Sequence, residues 1–401
     1  MSHNSHKFDV VISGAGPSGS KCAEILAKAG YNVALIEKNT AWRKPCGGGV
    51  SSRIFKYFPQ LRKLNPHRIK SIGMYSAEFD KLKFSWESMR DDSIVMDRLE
   101  LDSTIRNVAV DAGAHLFDNH LSYDFITKQG KNIGIKTKKE SGSGEFFGTI
   151  IIIADGMSSK LAVKSGLREK WDIHELGVAK CAIMEGETSL DKQCINVFFR
   201  PYKGYGWIFP MSDKKFNIGC GTFEDANLKF NLNHIYEKFI RDPHIKNILS
   251  GQDYKTVWSA AYPLPARGVK KNSLYGENIM LIGDTAGFVS PISGEGIHPS
   301  IVSGKVAAET AVKALEEEHI SKSILKGYRR DQTINKIIQN FKLKRSMVEF
   351  FYEKGGENLS NMLKLANQDE LFRETVVNMF LFNAAPSKEF FAKIKNFAAI
   401  N

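Results

Sequence analysis

Residues 9–19 read DVVISGAGPSG, and the fold follows from them. Phe8 to Ile12 is a short apolar run suited to a buried parallel strand, and Gly14, Gly16 and Gly19 follow as a GxGxxG turn. From Ser18 to Gly30, Ala23, Leu26 and Ala27 fall on one helical face; a second apolar strand, Val33 to Ile36, then ends at Glu37. Strand, glycine turn, helix, strand and acid together form a βαβ unit of the dinucleotide-binding kind. Gly14 permits the tight turn, Gly16 lets a pyrophosphate approach the backbone, and Gly19 lets the helix pack close on the strand. Free N–H groups in the first helical turn, where Ser18 stands, carry about half a positive charge from the aligned peptide dipoles and hold the phosphates. Glu37 is placed to accept hydrogen bonds from ribose hydroxyls. A chance glycine-rich loop would lack these flanks.

A second glycine-rich stretch, LIGDTAGFVSPISGEGI at residues 281–297, follows another apolar strand, Ile279 to Ile282. Asp284 stands at that strand's carboxyl end, where it can bond ribityl hydroxyls. Gly294, Gly296 and Ile297 then open a helix running through Val306 and Ala308. A helix N-terminus aimed at the pyrimidine edge of a flavin stabilises the negative charge that the reduced ring acquires. The two stretches thus describe two ends of one flavin dinucleotide. Glu295 and His298 are tempting acids, but in a first helical turn a glutamate more often caps the helix.

These motifs, with Arg98 in VMDRLELD and Asp155-Gly156 in IIIIADGMSSKL, resemble the flavoprotein superfamily of aromatic hydroxylases over about residues 7 to 315. Two more narrow the likeness. Pro45-Cys46-Gly47-Gly48-Gly49, and Tyr205-x-Trp207-x-Phe209-Pro210 followed by Gly219-x-Gly221, resemble the geranylgeranyl reductase family, in particular its archaeal members that saturate the chains of digeranylgeranylglycerophospholipids. The resemblance implies FAD as cofactor. It implies cofactor contacts at Cys46, Gly47 and Gly49, at Ser122, at Asp155, and at Arg98 through the pyrophosphate, for which a bidentate guanidinium is suited.

The implied fold class is α/β: a Rossmann-type FAD-binding domain with an inserted antiparallel β-sheet and a C-terminal helical region. With 401 residues the chain exceeds one compact core. Residues 1–60, 98–170 and 255–330 carry the cofactor motifs and are expected to form one discontinuous FAD-binding domain. Residues 61–97 and 171–254 read as a substrate-binding sheet, with Ser71 to Trp86 as a hairpin and turn signals at Tyr202-Lys203-Gly204 and Ser212-Asp213-Lys214. Residues 331–401 read as helices: Ile334, Ile337, Ile338, Phe341, Met347, Val348 and Phe351 recur at helical spacing until Gly355-Gly356. In the last segment Phe390, Phe391, Ile394 and Phe397 share a side, with Lys388, Lys393 and Lys395 interspersed. That pattern rests on a membrane or packs on the domain.

Composition is that of an ordinary globular protein, 42% hydrophobic and 25% charged, with no run as long as the roughly 18 apolar residues of a membrane span. The N-terminal MSHNSHK lacks the apolar core of a signal peptide. Cys22, Cys46, Cys181, Cys194 and Cys220 form no metal spacing, and their odd number suits a reducing cytoplasm. The formal charge of +12 reads first as a solvated, lysine-rich surface; it comes without a nucleic-acid-binding signature, which argues against a nucleic-acid partner, and the partner it would suit, if there is one, is the anionic inner face of a membrane in peripheral contact.

Cys46 is a candidate catalytic residue, as proton donor, redox partner or pocket wall; its neighbours Arg43 and Lys44 favour a thiolate. Tyr205, Trp207 and Phe209 alternate on one strand face. Such a face is usually core; under the resemblance it lines an apolar tunnel together with Pro210, Gly219 and Gly221, and Tyr205 joins Cys46 and water as a candidate proton source. The expected function is FAD-dependent reduction of C=C bonds in the geranylgeranyl chains of an isoprenoid lipid or prenyl diphosphate. Rival readings are a flavin monooxygenase or halogenase of the same superfamily and a non-catalytic prenyl-binding protein. The single dinucleotide fingerprint is used by FAD, which leaves nicotinamide, a deazaflavin and ferredoxin all open as electron donor.

Overall fold

The computed structural model describes residues 4–85, 93–223, 231–250, 253–270, 274–318, 320–381 and 384–400. Trp86, the last residue of the expected hairpin, lies outside them, as do Asn401 and the first three residues of MSHNSHK.

The first sheet is built on β1 (Asn4–Ser13), which runs parallel between β2 (Val33–Ile36) and β11 (Gly142–Ile153). Strand β8 (His115–Phe117) extends it beyond β2, and β17 (Ile279–Leu281) pairs with the end of β11, both parallel. The start of β11 pairs antiparallel with β10 (Lys131–Lys139), itself paired with β9 (Leu121–Lys128). Val10 to Ile12, Val33 to Leu35 and Ile150 to Ile153 are all 0% exposed, as continuous apolar runs are when both faces of parallel strands are covered. Helices α1 (Pro17–Lys28) and α5 (Ile297–Glu316) pack together against this sheet.

The second sheet has the order β16 (Tyr254–Pro265), β12 (Leu176–Gly186), β15 (Lys215–Phe223), β14 (Gly204–Pro210), β13 (Cys194–Phe199), β5 (Ser71–Tyr75) and β6 (Lys81–Ser85). All neighbours are antiparallel except β13 and β5. The β13–β14 and β14–β15 hairpins turn at the two expected signals, and β5–β6 is the expected hairpin. Strand β16 pairs with β12 as far as Pro265, so the chain leaves this sheet after that residue rather than at residue 255. On the outer face α3 (Leu232–Arg241) and α4 (Pro243–Leu249) bury Phe239, Ile245 and Leu249 against Phe198, Ile208 and Phe216. A three-stranded sheet of β3 (Gly49–Ser51), β7 (Ser93–Val95) and β4 (His67–Ile69) leads into α2 (Arg98–Asp111).

Five more helices follow α5: α6 (Lys322–Arg330), α7 (Gln332–Tyr352), α8 (Glu357–Gln368), α9 (Glu370–Leu381) and α10 (Lys388–Ile400). Helix α7 spans two cores, giving Ile334 and Ile338 to the first sheet and Met347, Val348 and Phe351 to the inner face of the second. Gly355 and Gly356, at φ of +73° and +97°, redirect the chain after it. On α10, Phe390 and Ile394 are buried among Phe351, Phe372 and Leu363, so part of its apolar side faces the protein. Among the described residues no helix is long and apolar enough to cross a membrane.

Lys344 of α7 is fully buried, with Nζ donating to the Met379 carbonyl of α9 at 3.1 Å. Burial pushes its amine down to about 7, against a smaller opposing pull from Glu295. Because the folded-state value lies below the unfolded one, the unfolded chain holds the extra proton above pH 7, and the contribution of this residue to stability improves as pH rises through about 7 toward the ordinary lysine range. Wild-type Tm should therefore gain on Lys344→Met as pH is raised from 7 to 9; parallel Tm curves for the two proteins would contradict a buried, titrating lysine.

Candidate functional site

Two cavities meet between the sheets. One, about 260 Å³, runs along the carboxyl ends of β1 and β2 and the head of α1. The other, about 220 Å³, lies between the inner face of the second sheet and the Cys46 loop. Lys44, Arg98, Tyr262 and Asp284 line both.

The first cavity is shaped by glycine. Gly14 has φ of +102°, and a Cβ there would stand 2.3 Å from the Ala154 carbonyl oxygen. A Cβ on Gly19 would meet the Gly14 carbonyl at 1.9 Å, so Gly19 lets α1 seat on its own turn and does not line the cavity. Gly16 faces open space at the N-terminus of α1, the room a phosphate needs to reach the backbone. The Glu37 carboxylate accepts from the Ala15 and Asn39 amides at 2.9 and 3.1 Å, which holds it at the cavity edge beside Ser18. Across from it, Ser122 Oγ and Asp155 Oδ1 are buried and make no hydrogen bond among the described residues. Burial pushes the Asp155 carboxyl up to about 6. A cleft walled by backbone amides, with an acid at its edge and two unmatched polar atoms inside, fits a dinucleotide.

At the junction Lys44 Nζ pairs with Asp284 Oδ2. Burial opposes the charge on Lys44, but the Asp284 carboxylate outweighs it and holds the amine above its ordinary value. The other Asp284 oxygen accepts from Ser300 Oγ at 3.5 Å. Glu295 caps α5, its Oε1 accepting from the His298 amide at 2.8 Å. Gly294, Gly296 and Ile297 of the same turn line the second cavity.

The cations expected to act on Cys46 are engaged elsewhere. Arg43 pairs with Asp97, and Lys44 with Asp284; the cation beside the Cys46 sulfur is Arg98. Arg98 also forms a bidentate pair with Asp102, its Nη2 at 2.7 and 3.1 Å from the two carboxylate oxygens. It lines both cavities from the first turn of α2, whose N-cap is Asp97. Cys46 is the half-buried cysteine; the others are buried, and burial pushes Cys181 and Cys220 up to about 12.

Strand β14 supplies the opposite wall. Tyr205, Trp207 and Phe209 line the cavity with Gly221, while Ile208 faces the outer core. Pro210 and Gly219, expected at the substrate, do not line it. Gly219 pairs with Trp207 across the strands, and a Cβ there would stand 2.2 Å from the indole, so its role is to seat the ring. Gly47 and Gly49 play the same part for Phe209 on the Cys46 loop, where a Cβ would approach to 2.8 and 3.1 Å. The Tyr205 hydroxyl donates to the Ser293 carbonyl at 2.5 Å, and burial, with Cys46 nearby, raises it above its ordinary value.

Asn217 was not singled out from the sequence. It stands opposite Phe209, 2% exposed; its Nδ2 donates to the Cys46 carbonyl at 3.0 Å and its Oδ1 accepts from Trp207 Nε1 at 2.8 Å. Its place two residues before Gly219 was the available signal, since an amide on the inner face of an apolar strand needs buried partners.

A doubly wound sheet with a dinucleotide cleft, joined to an antiparallel sheet over an apolar cavity, is the architecture of flavin-dependent oxidoreductases. The Thi4 family model matches residues 2–141. Digeranylgeranylglycerophospholipid reductase 1 of Methanopyrus kandleri is 26% identical, over 92% of this chain and 97% of its own. Menaquinone reductase of Mycobacterium tuberculosis is 31% identical, over 75% of this chain and 76% of its own. Among solved structures, a geranylgeranyl bacteriochlorophyll reductase-like protein of Thermoplasma acidophilum superposes with a TM-score of 0.84 at 21% identity, covering 98% of this chain and 100% of that one. A flavin-dependent brominase superposes with a TM-score of 0.76 at 18% identity, with 98% of each chain covered. The chain belongs to the geranylgeranyl reductase family of flavoproteins.

Asn217→Ala should leave the Trp207 indole N–H buried without a partner and free the Cys46 loop, at a cost of about 1–3 kcal/mol. Urea unfolding measures this; a variant as stable as wild type would show that the clamp carries no strain-free bond worth keeping.

Proposed function

We propose that this protein is an FAD-dependent reductase of C=C bonds in isoprenoid chains, acting on geranylgeranyl chains of a lipid precursor. The observation that carries the reading is the second cavity: its aromatic wall continues into Ile72, Met74, Ile195 and Val197, and its other end opens on the dinucleotide cleft at Lys44 and Asp284. The similar proteins named above act on a glycerophospholipid and a menaquinone, and what those two substrates share is an isoprenoid chain. A lipid substrate, together with the net charge of +12, supports peripheral contact with an anionic membrane.

Gly14, Gly16, Ser18, Glu37, Ser122 and Asp155 would hold the adenosine and pyrophosphate half of FAD, with Arg98, which lines both cavities, at the pyrophosphate, and Asp284 and the turn at Gly294 to Ile297 on the flavin side. Reduced FAD held there would supply a hydride to one alkene carbon. The protein must supply the rest. An isolated alkene has no carbonyl to polarise, so the other carbon needs a proton, and the positive charge that then builds on the carbon awaiting hydride needs a π face such as the Trp207 indole. Tyr205 is poorly suited to give the proton: its O–H is held on the Ser293 carbonyl, and its raised pKa makes it a weaker acid. We assign the proton to Cys46 Sγ, which lines the cavity and has the Arg98 guanidinium beside it to offset the charge left on sulfur. Apolar walls keep water from competing.

Purified protein should be yellow and release FAD on heat denaturation, since the cleft offers non-covalent contacts. Flavin-free protein that takes up no added FAD would remove the basis for this function and leave the prenyl-binding alternative. Cys46→Ser should retain FAD and lose turnover of geranylgeranyl lipid by about tenfold or more. Trp207→Ala should also keep FAD and lose turnover. Undiminished turnover in Cys46→Ser would pass the proton role to water, and substrate-stimulated oxygen consumption in place of chain saturation would favour the monooxygenase reading.

A further inference from the structure

The far end of the apolar cavity is walled by residues from two distant parts of the chain. Its lining crosses from Tyr262 on β16 to Ile72 and Met74 on β5, about 24 Å at the usual strand spacing. At the β5 side the strand residues are nearly inaccessible, Ile72, Met74 and Ile195 being 1%, 0% and 2% exposed. Phe199, the last residue of β13, and Phe380, near the end of α9, close this side with their rings edge to face at 5.3 Å. Phe351 of α7 stacks behind Phe380 at 6.4 Å. The backbone next to Phe380 is fixed by the buried Lys344, which donates to the Met379 carbonyl. The two rings are thus held from behind, and a ligand cannot push them aside without disturbing a packed core.

We infer that Phe199 and Phe380 form the blind end of the substrate cavity and set the length of isoprenoid chain that the protein accepts. The inference rests on the reductase reading above and extends it: the C-terminal helices, which hold none of the cofactor motifs, determine substrate length through α9. A chain that fits places its terminal methyl groups against the two rings. One isoprene unit more would have to displace a phenyl ring or leave the alkene nearest its head group short of Cys46 and Trp207. Removing a ring frees space of about the bulk of one unit.

The test compares wild type, Phe380→Ala, Phe199→Ala and the milder Phe380→Leu on prenyl glycerol ethers of three, four, five and six isoprene units, with dithionite as reductant and saturated product measured by mass spectrometry. Flavin content and Tm are recorded for each protein, so a variant that fails to fold is recognised and the remaining ones carry the measurement. In the alanine variants kcat/KM for the five- and six-unit chains, relative to the four-unit chain, should rise at least about tenfold, the scale on which apolar pockets discriminate by size. Phe380→Leu should fall between. Folded, FAD-bound variants with the wild-type length profile would overturn the inference and leave the reductase reading standing. Wild type that saturates no chain of any length would overturn both.

Discussion

Two glycine-rich stretches far apart in sequence can serve one ligand only if the fold fixes their spacing, and the packing around Ser18 fixes it. A Cβ on Gly304 of α5 would stand 2.2 Å from the Ser18 carbonyl oxygen, and one on Gly283 would stand 2.4 Å from its hydroxyl oxygen. At both places backbone meets the first turn of α1 with no room for a methyl group. That contact sets the α1–α5 spacing, hence the position of the α5 N-terminus and of Asp284 relative to the turn at Gly14 to Gly16. The cofactor cleft, its junction at Lys44 and the side of the second cavity formed by Gly294 to Ile297 all follow from this spacing.

The second sheet meets its own packing constraint in a complementary way. Three aromatic side chains in alternation on β14 would crowd any ordinary partner strand. Strand β15 answers with Gly221 opposite Tyr205, Gly219 opposite Trp207 and Asn217 opposite Phe209. The glycines give the rings a place to lie, and the asparagine gives the indole N–H a partner while reaching across to the Cys46 carbonyl. The spacing from the aromatic run to Gly219-x-Gly221 is therefore the length of one hairpin in register. The same side chains make the wall of the cavity and fix the loop that faces it, so shape and chemistry cannot vary independently here.

Much of this was legible in the sequence because it depends on local pattern. Strand β2 has the bounds its apolar run predicts, α1 begins next to the glycine turn, and the turn residues of β13–β15 mark the hairpins. What was not legible depends on which distant charges meet. Sequence neighbours suggested Arg43 and Lys44 as the cations at Cys46, but the loop turns both away, toward Asp97 and Asp284, and brings in Arg98 from α2. Adjacency in the chain says little about direction in a glycine-rich loop. Strand β16 was hidden for a related reason: its pairing with β12 is long-range, and its mixed exposure gives no clean alternation to read.

The C-terminal helices show how little an amphipathic pattern decides alone. The spacing of Phe390, Phe391 and Ile394 would serve a membrane surface or a core equally well. In the fold, Phe390 and Ile394 join Phe351 and Phe372 in the cluster that also carries Phe380, so the apolar face supports the cavity wall from behind. Lys344 belongs to the same support. A buried amine is costly to keep, and replacing it with an apolar residue would pack as well or better. Its hydrogen bond to Met379 and its proximity to Glu295 tie α9 to the turn that opens α5, at two places on the wall of the second cavity. One side chain thus links the helix at the far end of the apolar cavity to the turn that opens α5, which an apolar residue of the same size could not do.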